Sequence, residues 1–218
     1  DRDNPSVSEA AMKYFVLGSI ASGLLLYGMS MVYGATGSLQ FDAIYAAAGQ
    51  TASPYMFKLG VVFMLAGIAF KFGAAPFHMW LPDVYQGAPT AVTAFISSAP
   101  KLAAFAMAYR LLESAAGIAS ADWVPLVAGL AALSLLLGNL MALVQTNFKR
   151  LLAYSTISHV GFLLLGLLSA DAPGYAAAMF YAISYSIMAV AAFGSIILLS
   201  RSGFDAGEDC GDGRHGAI

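Results

Sequence analysis

The chain has 218 residues, 60% of them hydrophobic and 10% charged, with a net charge of −2. A soluble domain carries about 25% charged residues, so this balance excludes an ordinary water-soluble enzyme and points to a membrane. The small net charge gives no ground for a nucleic-acid partner, and the single cysteine, Cys210, rules out a disulfide framework or a cysteine-rich metal site.

The first ten residues, DRDNPSVSEA, are polar and lack both a methionine start and a signal-peptide pattern. The opening reads as the interior of a longer protein. Six apolar runs follow, predicted as spanning helices from Ala11 to Gly34, Tyr55 to Leu81, Thr90 to Leu112, Trp123 to Val144, Phe148 to Leu168 and Tyr175 to Ser200. Each reaches the ~20 residues a helix needs to cross the hydrocarbon core. None alternates with the two-residue period of a barrel strand, so the predicted fold is an all-α polytopic membrane bundle. The longest loop, from about Ala35 to Pro54, and a short turn from Pro82 to Pro89 leave no room for a soluble domain.

An even number of spans puts both ends on one side, with Arg2, Lys149, Arg150, Arg201, Arg214 and nearby Lys13. The opposite side has Lys58 and Arg110 at helix ends. The bias places both ends in the cytoplasm. Small residues at four-residue spacing, Ser134, Gly138 and Ala142 together with Gly18 and Ser22, read as helix-packing rows.

Two lysines stand out by depth. Lys71 lies 16 residues past Tyr55, roughly 24 Å at 1.5 Å per residue. Lys101 lies 11 residues past Thr90, roughly 17 Å from the other side. An ammonium at mid-membrane costs about 2.5–3.5 kcal/mol on insertion scales, so such residues mark ion or proton pathways. An amine out of water favours its neutral form and so exchanges its proton more readily. Lys13, Lys58 and Arg110 lie shallow enough to reach an interface.

Each deep lysine has a proline beside it. Pro76 cannot donate to the helix ladder and disfavours helix at Ala75, and Gly73 loosens the same stretch. A broken segment from Lys71 to His78 is therefore expected, and broken helices mark ion sites in transporters. Pro100 frees a further carbonyl beside Lys101.

His159 is the third deep ionisable group, in the hydroxyl-rich run Tyr154-Ser155-Thr156-Ile157-Ser158-His159. Ser155 and His159 are four apart and share a helix face. The group reads either as part of a proton-conducting chain or as helix–helix hydrogen bonding. His78, Ser155, Ser158, Tyr154 and Tyr185 are secondary candidates. Tyr181, Ser184 and Ser186 are weaker ones. Glu9, Asp42, Asp83, Glu113, Asp122 and Asp171 all fall at predicted helix ends or in loops, so no carboxylate reaches mid-membrane to pair with either lysine. The sequence carries no phosphate-binding glycine loop, metal-ligand cluster, nucleophile–base pair, flavin, haem or iron–sulfur signature.

The segments KFGAAPFHMWLPDVYQGAPTAVTAFISSAPK (Lys71 to Lys101) and NLMALVQTNFKRLLAYSTISHVGFLLLGL (Asn139 to Leu167) resemble the antiporter-like membrane subunits of proton-pumping NADH:quinone oxidoreductase, respiratory complex I. The large subunits of multi-subunit cation/proton antiporters share the broader theme Pro76-Phe77-His78-Met79-Trp80-Leu81-Pro82-Asp83. The resemblance covers about Glu9 to Ala206. It implies that Lys71 is the broken-helix lysine, that Lys101 lies on a central hydrophilic axis and that His159 lies along it. It also implies a glutamate one helix upstream that pairs with Lys71, and a further inverted repeat downstream.

Residues 1–206 are expected to form the membrane domain. Residues 207–218, glycine-rich and polar, depart from the family's pattern and read as a tail foreign to it. By resemblance, the function is proton translocation in the bacterial plasma membrane, with protons as cargo and the lipid bilayer and other complex I membrane subunits as partners. No cofactor is expected on this chain; NADH, flavin, iron–sulfur clusters and quinone belong to other subunits. The rival readings are a cation/proton antiporter subunit and a non-transporting scaffold.

Overall fold

A computed structural model describes residues 5–201. The tail 207–218, with Cys210 and Arg214, lies outside the described residues, as does Arg2. The chain runs α1 (Pro5–Thr36), α2 (Phe41–Ala48), α3 (Pro54–Phe72), α4 (Trp80–Gly87), α5 (Thr90–Tyr109), α6 (Ser120–Leu143), α7 (Phe148–Leu168) and α8 (Ala172–Arg201). A π-helical turn, Arg110–Ala115, extends α5, and a 3-10 turn, Gly117–Ala119, leads into α6.

Six helical segments among the described residues are long and apolar enough to cross a membrane: Val7–Thr36, Pro54–Phe72, Thr90–Ala115, Gly117–Leu143, Phe148–Leu168 and Ala172–Ser200. The all-α bundle is as predicted. Large side chains such as Phe15, Leu26, Leu136, Phe180 and Ile187 stay exposed on its outside. In water this would be costly; in a bilayer it is the expected finish, since lipid is as apolar as they are.

Packing follows pairs. α1 lies along α3, α6 along α7, and α5 along α8, while α4 sits between α1 and α7. The α1–α3 contact depends on Gly28 and Gly60: a Cβ on Gly28 would come within 2.6 Å of the Gly60 carbonyl. This is the close approach that small residues permit. The predicted row at Gly138 holds, with the Ser158 backbone pressed against it. The pair Gly18 and Ser22 lines an open groove, with Gly18 beside the Phe70 ring of α3.

Three predicted boundaries move. The second span stops at Phe72, and helix resumes only at Trp80. The predicted turn Pro82 to Pro89 is mostly α4. Pro82 stands in its first turn, where its missing N–H has no intrahelical acceptor to lose. The loop after α1 contains α2, whose one buried side chain is Ile44. α5 runs through Pro100 without interruption, and Pro100, lacking an N–H, leaves one α5 carbonyl without its intrahelical donor, as expected.

Candidate functional site

The site is built around the gap between α3 and α4. Gly73 ends α3 in the left-handed region, φ +74°, with its N–H on the Ala69 and Phe70 carbonyls. Glycine adopts this conformation without the Cβ penalty of other residues. The Ala74 N–H closes on Ala69 O at 2.9 Å. The Ala75 N–H donates to Ser134 Oγ of α6 at 2.9 Å, and the Trp80 indole Nε1 donates to Phe70 O at 3.0 Å.

One carbonyl remains. In an unbroken helix the amide of residue 76 would donate to Phe72 O, but Pro76 has no N–H to give. The Lys101 ammonium takes that place and donates to Phe72 O. The carbonyl that Lys101 meets is thus the one freed by Pro76, one helix away, and not one freed by its neighbour Pro100.

Lys101 is 3% exposed, and its Nζ lies 5.5 Å from the centroid of the Trp80 ring. No carboxylate pairs with it among the described residues. A charge-assisted hydrogen bond contributes about 1.5–3 kcal/mol and a desolvated cation–π contact about 2. Removing an ammonium from water costs several kcal/mol even after relaxation, so these contacts offset the cost without a clear surplus. Simple stability therefore does not account for a lysine here.

Lys71 stands apart from Lys101 in exposure. Its side chain is exposed, in a groove of about 400 Å³ that also includes Tyr14, Gly18, Ser22, Trp80 and Pro100. The reason is helical geometry: Lys71 precedes the cap by two residues and points to the face between α1 and α5, which no described residue fills. The Trp80 ring, packed on Tyr14 and Phe70 at 5.2 and 5.5 Å, lines this groove and also meets Lys101. His78 sits half-buried in the gap with its Nδ1 buried and unpartnered among the described residues.

His159 is half-buried on α7, and its Nδ1 is 2.6 Å from the Tyr181 hydroxyl of α8. Its ring lies 4.9 Å from that of Tyr185, whose hydroxyl donates to Thr156 Oγ1 at 2.8 Å. Tyr154 and Ser158 are buried and Ser155 is half-buried. His159, Thr156, Tyr181 and Tyr185 form a separate seam between α7 and α8, apart from the Lys101 contact.

Three participants were missed. Ser134 had been read as a packing residue, yet it satisfies an amide of the gap. Its signal was present: a hydroxyl in a small-residue row facing a proline break. The sequence marks Trp80 only as part of the Pro76–Asp83 motif. The third is Asp83, which had been placed in a loop. It accepts from Lys13 Nζ at 2.7 Å and from Arg150 at 2.9 Å, and Arg150 also donates to Gln86 and Gln145. Partial burial works against the Asp83 carboxylate, but the hydrogen bonds from Lys13 and Arg150 prevail and hold its pKa below the usual carboxylate value. This cluster ties the start of α4 to α1 and α7. It also brings Lys13 and Arg150 to one end of the bundle. At the other end Lys58 pairs with Asp122 at 2.8 Å, and the Arg110 guanidinium lies over the Phe41 ring.

Fold and site together define a polytopic membrane helix bundle of the broken-helix kind, with a buried lysine seated on the carbonyl that the break leaves free. The profile of the NADH:quinone oxidoreductase/Mrp antiporter transmembrane family matches residues 1–208. The chain belongs to that family. It is 63% identical over 206 residues to NADH-quinone oxidoreductase subunit N of Xanthomonas euvesicatoria pv. vesicatoria, covering 94% of this chain and 42% of that protein. It is 60% identical over 207 residues to the subunit N of Halorhodospira halophila, covering 95% of this chain and 43% of that one. The fold superposes on a chain of respiratory complex I from Thermus thermophilus with bound aureothin. There the TM-score is 0.72 and the identity 41%, over 87% of this chain and 40% of that chain. The chain thus spans about two fifths of the length of the curated relatives it matches.

Proposed function

We propose that this chain is part of a proton-translocating subunit N of a bacterial NADH:quinone oxidoreductase. It lies in the plasma membrane beside other membrane subunits, with the Lys13–Asp83–Arg150 end in the cytoplasm. The observation that carries this reading is Lys101, buried on the Phe72 carbonyl without a carboxylate partner among the described residues. Lys71 and Lys101 take up and release protons, and His159 extends the path toward α8. A carboxylate brought near an ammonium strengthens its hold on the proton, and withdrawing it weakens that hold. Electron transfer elsewhere in the complex would drive such changes. NADH, flavin, iron–sulfur clusters and quinone are assigned to other subunits.

The test is Lys101→Ala and Lys71→Ala in the full-length protein, with proton pumping driven by NADH in vesicles. The reading expects assembled complexes that have lost most of their pumping. Wild-type pumping by both variants would defeat it and leave a structural role. A second reading, a subunit of a cation/proton antiporter, draws on the family description, which spans both kinds of protein. The 63% identity to an oxidoreductase subunit favours the first. Co-purification with an NADH-oxidising arm separates the two.

A further inference from the structure

Pro76 and Pro100 each withhold an amide from the carbonyl four residues before them. For Pro76 that carbonyl is Phe72 O on α3, and Lys101 of α5 donates to it. For Pro100 it is Ile96 O on α5. The hydroxyls nearest in sequence do not serve it: Ser97 donates to Ala94 O at 3.0 Å, and Ser98 to Ala94 O at 2.8 Å and Phe95 O at 3.2 Å. A carbonyl left without a donor at membrane depth is costly, so it calls for a partner of another kind.

Its surroundings hold one. Ile96 and Pro100 line the groove of about 400 Å³ in which the Lys71 side chain is exposed. α3 packs on α5, and the Lys101–Phe72 contact shows that a lysine side chain spans the two helices beside Lys71. Other donors along the groove are committed: Ser19 gives its proton to Phe15 O at 2.7 Å and the Trp80 indole to Phe70 O at 3.0 Å. Among the described residues that line the groove, Lys71 supplies the cation and none is a carboxylate. An ammonium brings three donors on a flexible stem, so it can meet a carbonyl anywhere within its swing.

We propose that Ile96 O is a seat for the Lys71 ammonium, the counterpart of the Phe72 carbonyl under Lys101. Each lysine is then held on a carbonyl that a proline frees on the other's helix. Lys101 crosses from α5 to α3, and Lys71 swings within the groove from α3 to α5. Pro100 is the positioning residue: it keeps Ile96 O open by having no N–H to give it. A carbonyl accepts a hydrogen bond without taking the proton, so the seat holds the ammonium while no carboxylate is near. This inference rests on the proton-translocating reading and gives Lys71 its resting place within it.

The experiment is Pro100→Ala in the full-length subunit within the assembled complex, which supplies the missing N–H and closes the seat. Alanine is the best helix former, so assembly should be retained. The seat is a charge-assisted hydrogen bond, the strong kind, so its loss should slow NADH-driven pumping in vesicles by about tenfold. Lactic acid placed at position 100 by nonsense suppression also removes the ring, but it has an ester oxygen where alanine has its N–H. It leaves Ile96 O open and should pump as the wild type does. Melting temperatures of the wild type, Pro100→Ala, Lys71→Met and the double variant complete the test. Alanine gains a backbone bond in both backgrounds but displaces the ammonium only where Lys71 is present. It should therefore raise the melting temperature more in the Lys71→Met background. Equal melting shifts in the two backgrounds overturn the seat, as does wild-type pumping by Pro100→Ala. So do equal losses of pumping, or of assembly, in the alanine and lactic acid complexes, which would make the proline ring itself the important part. Lys71→Met also checks the parent reading. If it pumps at the wild-type rate, the translocating reading fails at Lys71; if it is inactive and the melting shifts are equal, only the seat fails.

Discussion

The gap between α3 and α4 and the ion cluster at the start of α4 both hold cations, and they do so in opposite ways. In the gap, Lys101 is buried and its ammonium donates to one carbonyl, while Ser134 meets the amide of Ala75. At Asp83 the carboxylate is partly exposed and shared by Lys13 and Arg150, and each of those has another partner, Glu9 or the glutamines 86 and 145. Losing a partner in the gap strands a buried polar group; losing one in the cluster leaves water and a second partner to take over. The gap is thus the stiff and costly region, and the cluster the tolerant one.

Four substitutions test that ranking by denaturant or thermal unfolding of the full-length subunit in detergent. The largest effect is expected for Gly73→Ala. The left-handed backbone costs an alanine about 1–2 kcal/mol, and overpacking against Leu81 adds about 1–3, so a loss of about 2–5 kcal/mol is expected. Ser134→Ala comes next, with a loss of about 1–3 kcal/mol, because the Ala75 N–H is left without its acceptor. A cost below that of the Asp83 change would break the comparison.

Asp83→Asn should cost about 1–2 kcal/mol, since a neutral amide keeps one contact and loses the charge assistance. The pH dependence has a fixed sign. The Asp83 carboxyl titrates lower in the folded protein than in the unfolded chain, so its stabilisation is complete above the unfolded carboxylate pKa. It disappears as the pH falls through the lowered folded value. In Asp83→Asn this acid-side contribution should be missing, which a pH series of unfolding midpoints measures. Lys58→Ala should change stability by less than about 1 kcal/mol, since both partners of its pair with Asp122 are well exposed. A larger loss there would mean that exposed pairs are not the tolerant ones.

The sequence made the spans and the break readable, because each rests on a local rule. Apolar length gives a helix, and Gly73 with Pro76 gives an interruption. Pairing across helices was less readable. The link from Pro76 through Phe72 O to Lys101 joins residues 29 apart in the chain. It is foreseeable only once α5 is known to lie beside the end of α3. The exposure of Lys71 was hidden for the same reason, since depth along a helix says nothing about which face is covered. The stretch from Pro82 to Pro89 was expected as a turn, whereas Pro82 stands in the first turn of α4, where a proline begins a helix equally well.

The central claim is that Lys101 exchanges a proton from its seat on the Phe72 carbonyl. The most direct measurement is NADH-driven proton pumping by assembled complex carrying Lys101→Arg. A guanidinium keeps the positive charge and can still donate to the carbonyl, but it does not release its proton. The account predicts an assembled complex whose pumping is lost. Pumping at the wild-type rate would show that a fixed charge suffices there, and it would remove Lys101 as a proton carrier.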